Sequence, residues 1–169
     1  MPERRPFDVE AYVASFRTRR CFICGLVDGD PDFAHHLVFE DDFAVAFLNK
    51  NPPLAGYVLV CPKAHREQVT GDFSRDDYLR LQALVYDVSE ALRRTLEVER
   101  VYILSLGSQQ GNRHVHWHVA PLPPGVPLKE QQFKALDVER TGVLVMDEAE
   151  MADLARRIAG ALVSVRAER

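Results

Sequence analysis

Apolar residues recur along this chain with two periods, and the changes between them mark out its elements. "DVEAYVASFRT" opens with Asp8 as a cap and sets Val9, Tyr12, Val13 and Phe16 at helical spacing, which predicts a first helix with one apolar face. "CFICGLVDGDPD" breaks that period, and its Gly and Asp content reads as a knuckle of turns. "LVFEDD" and "FAVAFLN" then predict a strand hairpin about an acidic turn. After the "NPPLAG" break, "YVLVCP" predicts a third strand, ended by Pro62.

A helix from about Ser74 to Leu96 follows. "SRDD" offers a capping box with Ser74 as cap and Asp77 reaching back, and Leu81, Val85, Val88 and Leu92 form a buried stripe. "VYILSL" and "HVHWHVAP" predict two more strands across "GSQQGN", whose glycines permit a tight turn close to a ligand. "KEQQFKAL" suggests a short helix. A last helix is capped by Asp147 with Glu150 and turns Met151, Leu154, Ala155, Ile158 and Leu162 inward. Five antiparallel strands with helices grouped against them make an α+β domain. At 169 residues one domain is expected.

Charge and length narrow the function classes. A formal charge of -4 argues against an extended nucleic-acid surface. No apolar run approaches the roughly 18 residues of a membrane helix. "MPERRPFDVE" has basic residues without an apolar segment behind them, so no signal peptide and a cytoplasmic setting are expected. In that setting three cysteines suggest metal or redox chemistry rather than a disulfide framework.

The chemistry concentrates in "HVHWHV". In a strand, His114, His116 and His118 share one face while Val115, Trp117 and Val119 share the other, which should pack on the core. Two chemistries fit three imidazoles so placed. They can chelate a catalytic zinc with an open water position. Alternatively one neutral imidazole can attack phosphorus, with a neighbour managing the leaving group's proton. Cys21 and Cys24, spaced CxxC, form half of a metal site that needs two further ligands. His35 and His36 read as surface or hairpin residues, and Cys61 as a small core residue.

Taken together, "HVHWHVAP" and the upstream "FAVAFLNKNPPLAGYVLVCPKAH" resemble the two signatures of the histidine triad (HIT) family of nucleotide hydrolases and transferases. The likeness covers about residues 20–122, leaving about 123–169 as a C-terminal helical extension. It implies that His116 is a covalent nucleophile toward a nucleotide α-phosphorus. It further implies that His118 contacts phosphate and helps proton transfer, and that Asn49 binds the ribose hydroxyls. Family members with a CxxC pair complete a structural zinc site with histidines that correspond to His65 and His114. The chain departs from the family where Gly-Gln-Ser/Thr-Val usually precedes the triad: "QQGNR" leaves Gln110 and Asn112 as candidate nucleotide contacts. It departs again at Gly56-Tyr57, where Gly-His is frequent.

The expected activity is hydrolysis of a dinucleoside polyphosphate or nucleoside phosphoramidate through a nucleotidyl-histidine. The alternatives are transfer to phosphate as nucleotidyltransferase or phosphorylase, and a zinc-stabilised nucleotide-binding module with little turnover. The likeness also implies a homodimer that joins two sheets into ten strands. Leu79, Leu84 and Ala91 beside the main helical stripe widen the apolar face available for it.

Overall fold

The structure is a computed structural model that describes residues 3–17, 19–109 and 111–168. The short strand β1 (Arg4–Arg5) and helix α1 (Val9–Arg17) come first. Asp8 caps α1 as expected, its carboxylate accepting from the Ala11 N–H at 2.8 Å. The apolar face, however, is not core: Tyr12 and Val13 remain 37% and 39% exposed. The Phe16 side chain lies outside the described residues.

The knuckle is a helix, α2 (Phe22–Val27), rather than a run of turns. Cys21 is its N-cap, with Sγ accepting from the Cys24 N–H. Six residues are too few to hold a helix by propensity. Ile23 and Gly25 are buried instead, and a Cβ on Gly25 would collide with the Phe33 ring.

Strands β2 (Leu37–Glu40), β3 (Ala44–Leu48), β4 (Val58–Pro62), β5 (Arg100–Ser105) and β6 (Trp117–Leu122) form one antiparallel sheet in the order β2-β3-β4-β6-β5. Its β3 and β4 strands are apolar without alternation because both sheet faces are covered. On one face Ala44, Ala46, Val58, Val60, Trp117 and Val119 pack against α3 (Arg75–Thr95) and the C-terminal helix. On the other Val45, Phe47, Leu59, Cys61 and Leu122 pack against Ile23 and Ala135.

Ser74 caps α3 by accepting from the Asp77 N–H at 3.1 Å, but the expected capping box is only half made. Asp77 accepts instead from the Arg66 guanidinium at 2.9 Å. The turn into β4 depends on Gly56, at φ +77°, where a Cβ would sit 2.5 Å from Leu96 Cδ1.

Beyond the sheet come α4 (Gln131–Leu136), α5 (Val138–Thr141), strand β7 (Val143–Leu144) and α6 (Glu148–Ala167), which carries the full Asp147–Glu150 capping box. Strand β7 pairs with β1. The Arg4 guanidinium ties this pair down by donating to the carbonyls of Pro53, Thr141 and Gly142. Helix α6 lies on α3 and takes Leu84 and Ala91 into the shared core. Those two residues are therefore covered within the chain, and only Leu79 of the three widening positions stays exposed.

Candidate active site and metal centre

Strand β6 begins at Trp117, so His114, at a bend, and His116 precede the ladder rather than lying within it. The expected division of faces survives: Val115, Trp117 and Val119 enter the α3 side of the core. His116 is nevertheless not on an exposed face; it is 4% exposed, and His114 1%.

Four of the singled-out residues converge. Cys24 Sγ lies 3.3 Å from His65 Nδ1, and His114 Nδ1 lies 3.5 and 3.6 Å from Cys21 and Cys24 Sγ. All four donor atoms fall within 4.8 Å of one another. A tetrahedral zinc with bonds of about 2.3 Å to sulfur and 2.0–2.1 Å to nitrogen requires S···N separations near 3.6 Å, so the group fits that ion. The remaining ring nitrogens are also used. His114 Nε2 donates to the Pro62 carbonyl at 2.9 Å, and His65 Nε2 to the Glu67 carboxylate at 3.1 Å. Such outer contacts orient metal-binding imidazoles. Burial holds His114 down to about 4 and pushes the Cys24 thiol up to about 11, which leaves His114 ready as a neutral ligand. The thiol must lose its proton to a bound cation.

One step along the chain the chemistry changes. His116 Nδ1 donates to the His114 carbonyl at 2.7 Å. A carbonyl only accepts, so the ring proton is on Nδ1 and Nε2 carries a lone pair. Desolvation lowers the pKa of His116 and keeps that lone pair free of a proton. The ring lies 4.7 Å, centroid to centroid, from His118, and Phe22 meets its other side edge-on at 6.3 Å. Gly107 lets the neighbouring loop come close: a Cβ there would sit 2.9 Å from the Asn112 carbonyl. Ser105 Oγ donates to the His116 carbonyl at 2.9 Å and fixes the strand from its partner side.

His118 Nδ1 lies 3.1 Å from Tyr57 Oη, and its Nε2 is buried with no hydrogen-bond partner among the described residues. Burial, helped by His116, lowers His118 to about 3. Burial also pushes the Tyr57 phenol well up, so both groups are neutral.

A cavity of about 300 Å³ joins these groups, with His116, His118, Asn49 and Asn112 in its wall. Asn49 Oδ1 accepts from the Asn51 N–H at 2.9 Å, which shapes the turn beside the cavity. Asn112 sits at φ +55° with its Oδ1 buried and unpartnered among the described residues. Gln110, the other candidate from the loop, lies outside the described residues.

Several wall residues were not read as site residues from the sequence. His35, expected as a surface or hairpin residue, instead lines the cavity with its ring tilted against Phe47 at 4.7 Å between centroids, whereas His36 pairs with Glu148. Phe7 and Tyr12, with Leu136 and Val138, close the cavity from outside the sheet. Glu67, two residues beyond His65, had a sequence signal in that spacing. His35 had none.

The HIT domain pattern matches residues 31–124. An uncharacterised HIT-like protein of Saccharolobus solfataricus is 31% identical over 122 residues, which span 66% of this chain and 86% of that one. The adenosine 5'-monophosphoramidase of Schizosaccharomyces pombe is 26% identical over 132 residues, 70% of this chain and 94% of that one.

Two crystal structures share the fold. A hypothetical histidine triad nucleotide-binding protein of Sulfolobus tokodaii has a TM-score of 0.69 at 21% identity, covering 86% of this chain and 94% of that one. A zinc-bound histidine triad protein of Mycobacterium smegmatis has a TM-score of 0.67 at 20% identity, covering 88% and 97%. With a family match over more than half its length, the chain belongs to the HIT domain family.

Proposed function

We propose that this protein hydrolyses a nucleoside phosphate derivative through a nucleotide covalently held on His116. The observation that carries the reading is the forced tautomer of His116, which presents a buried Nε2 lone pair to a cavity of nucleotide size. Nε2 attacks the α-phosphorus, and the bond to the leaving group breaks with its electrons going to that group. Water then attacks the same phosphorus. The phosphorus–nitrogen bond breaks, its electrons return to Nε2, and a nucleoside monophosphate departs.

In this reading His118 meets the phosphate and the departing group, Asn49 takes the ribose hydroxyls, and Asn112, with Gln110, supplies polar contacts from the loop. The named activity of the S. pombe relative is of this reaction class. Phosphate in place of water would make the same intermediate a phosphorylase or transferase. A binding module with little turnover is the contrasting reading.

Cys21, Cys24, His65 and His114 would hold a structural zinc, a role supported by the fit of their donor spacing and by the zinc-bound relative. The closed Cys2His2 set leaves the metal no open position, so every bond change above belongs to this chain's own side chains.

We also propose a homodimer, in a cytoplasmic setting. Strand β5 is a sheet edge, and its Ile103 is 49% exposed near Tyr86 of α3, 55% exposed, along one groove. Pairing there would join two sheets into ten strands.

Rapid quench with a radiolabelled dinucleoside polyphosphate tests the chemistry. An acid-labile, base-stable adduct on His116 is expected. Tight binding with no adduct at any time point would leave only the binding module.

A further inference from the structure

The packing of helix α1 leaves its stability unexplained. Nine residues are too few to hold a helix by propensity, so a packed apolar face normally supplies the difference. Here Val9 is half-buried and every residue from 10 to 15 is exposed, Tyr12 and Val13 among them. The chain on either side is firmly held. Before α1, strand β1 pairs with β7, the Arg4 guanidinium donates to three carbonyls, and Arg5 donates to Asn51 Oδ1 at 2.6 Å. After it, Arg19 lies over the Phe33 ring at 5.0 Å, Arg20 pairs with Asp28, and Cys21 caps α2. Residues 3–17 are therefore a strap, anchored at both ends and loosely packed between them.

The strap also forms part of the cavity wall. Phe7, Tyr12 and Ser15 line the same space as His116, His118 and Asn49. Phe7 and Tyr12 make an aromatic pair, 5.0 Å between centroids and tilted by 59°. Protein surrounds Tyr12 closely enough for burial to raise its phenol, yet 37% of its surface is open. A side chain with both properties faces an enclosed space rather than bulk solvent. In the proposed reaction the phosphate meets His116 and the ribose meets Asn49. The base is the part of the nucleotide left over, and Phe7, Tyr12, Leu136 and Val138 offer it apolar surface. All four lie outside residues 31–124, the span that matches the family.

Resting on that reading of the cavity, we propose that residues 3–17 close as a strap on the base of a bound nucleotide, with Phe7 and Tyr12 against its flat face. The base supplies the packing that α1 lacks, so helix and ligand stabilise each other. Elements of low local stability are the ones that serve as lids. The fixed end of the strap is tied to the turn proposed to hold the ribose, because Asn51 accepts from Arg5 and donates its N–H to Asn49 Oδ1.

Hydrogen–deuterium exchange on the whole chain tests the closure, with adenosine 5'-monophosphate and ribose 5-phosphate as probes. Neither carries a leaving group, and only the first has a base. At about 100 times its Kd, the nucleotide is expected to slow exchange across residues 9–17 by about 10- to 100-fold. Ribose 5-phosphate at equal saturation should leave that segment at its unliganded rate. Equal slowing by both probes overturns the contact with the base. Calorimetric titration of the Phe7→Ala/Tyr12→Ala double variant gives a second measurement. The advantage of the nucleotide over ribose 5-phosphate, as a ratio of Kd values, should shrink about 10- to 100-fold. A ratio equal to that of the wild type overturns the role of these two rings. Nucleotide binding without slowed exchange in residues 9–17 overturns the strap alone, whereas no nucleotide binding at all overturns the parent reading and the strap with it.

Discussion

Replacing His116 by alanine should separate catalysis from folding, and the structure sets both magnitudes. The substitution deletes the Nδ1–H bond to the His114 carbonyl and the contacts of a ring that is 4% exposed. A lost hydrogen bond costs about 0.5–1.5 kcal/mol. The full penalty for an orphaned buried carbonyl does not apply, because the ring lines an open cavity and water can follow it out. Lost packing with Phe22 and His118 adds up to about 1 kcal/mol, as expected for aromatic pairs of this geometry.

A total near 1–2 kcal/mol corresponds to a melting point lower by about 2–8 °C for a chain of this size. Turnover should fall far more, by about 10⁴-fold or beyond, since removal of a covalent nucleophile leaves only binding and electrostatic assistance. Differential scanning calorimetry and quenched-flow adduct trapping measure the two quantities on one preparation. A variant that melts in the expected range yet keeps more than about one per cent of the rate would refute covalent catalysis at this position.

Other expectations are narrower. Metal analysis of untagged protein should return about one zinc per chain, and replacing Cys21 and Cys24 by serine should abolish it while lowering the melting point more than the rate per folded molecule. Glu67→Ala should weaken zinc binding about 10- to 100-fold in a chelator competition by releasing His65 Nε2; unchanged affinity would show that this carboxylate does not orient the ligand. Sedimentation equilibrium at micromolar concentration should give twice the 19.2 kDa chain mass, and the single-chain mass would rule out the β5–α3 pairing.

What was legible in the sequence followed from strict periods and short-range chemistry. Period two on "HVHWHV" assigns Val115, Trp117 and Val119 to the core, and the structure agrees. Helical spacing with the Asp147–Glu150 cap gave α6 and its buried residues correctly. The failures have physical causes. Tyr12 and Val13 form an apolar face by periodicity, yet both stay over a third exposed and Tyr12 walls a cavity, and periodicity does not tell what an apolar face meets. The stretch after Cys21 reads as turns because glycine and aspartate are poor helix formers, but the Cys21 sulfur cap and the burial of Ile23 outweigh propensity over one and a half turns. Ser74 and Asp77 fit a capping box by spacing, but Arg66, distant in local structure, competes for the Asp77 carboxylate. Tyr57 reads as a departure from a family pattern; only the fold shows that its hydroxyl reaches His118, 61 positions away.

The alternation of histidines also links the two sites more closely than shared sequence would require. The carbonyl that holds the tautomer of His116 belongs to His114, and it can do so only while that peptide unit stays in place. His114 is fixed from both ring nitrogens, by the Pro62 carbonyl on one side and by the thiol cluster on the other. Without a cation, the cluster has two protonatable sulfurs packed against imidazole nitrogens, and on that side only weak sulfur hydrogen bonds add to the hold of Pro62 and of burial. With one, Cys21, Cys24, His65 and His114 would hold it, and it would tie the His114 ring to the other three residues. A metal there would therefore act on the reaction through geometry alone, by immobilising the residue whose backbone oxygen selects which nitrogen of His116 bears the lone pair. Metal loss should accordingly lower the fraction of competent molecules and leave the substrate affinity of the remainder unaltered. That pattern separates a structural ion from one that touches substrate.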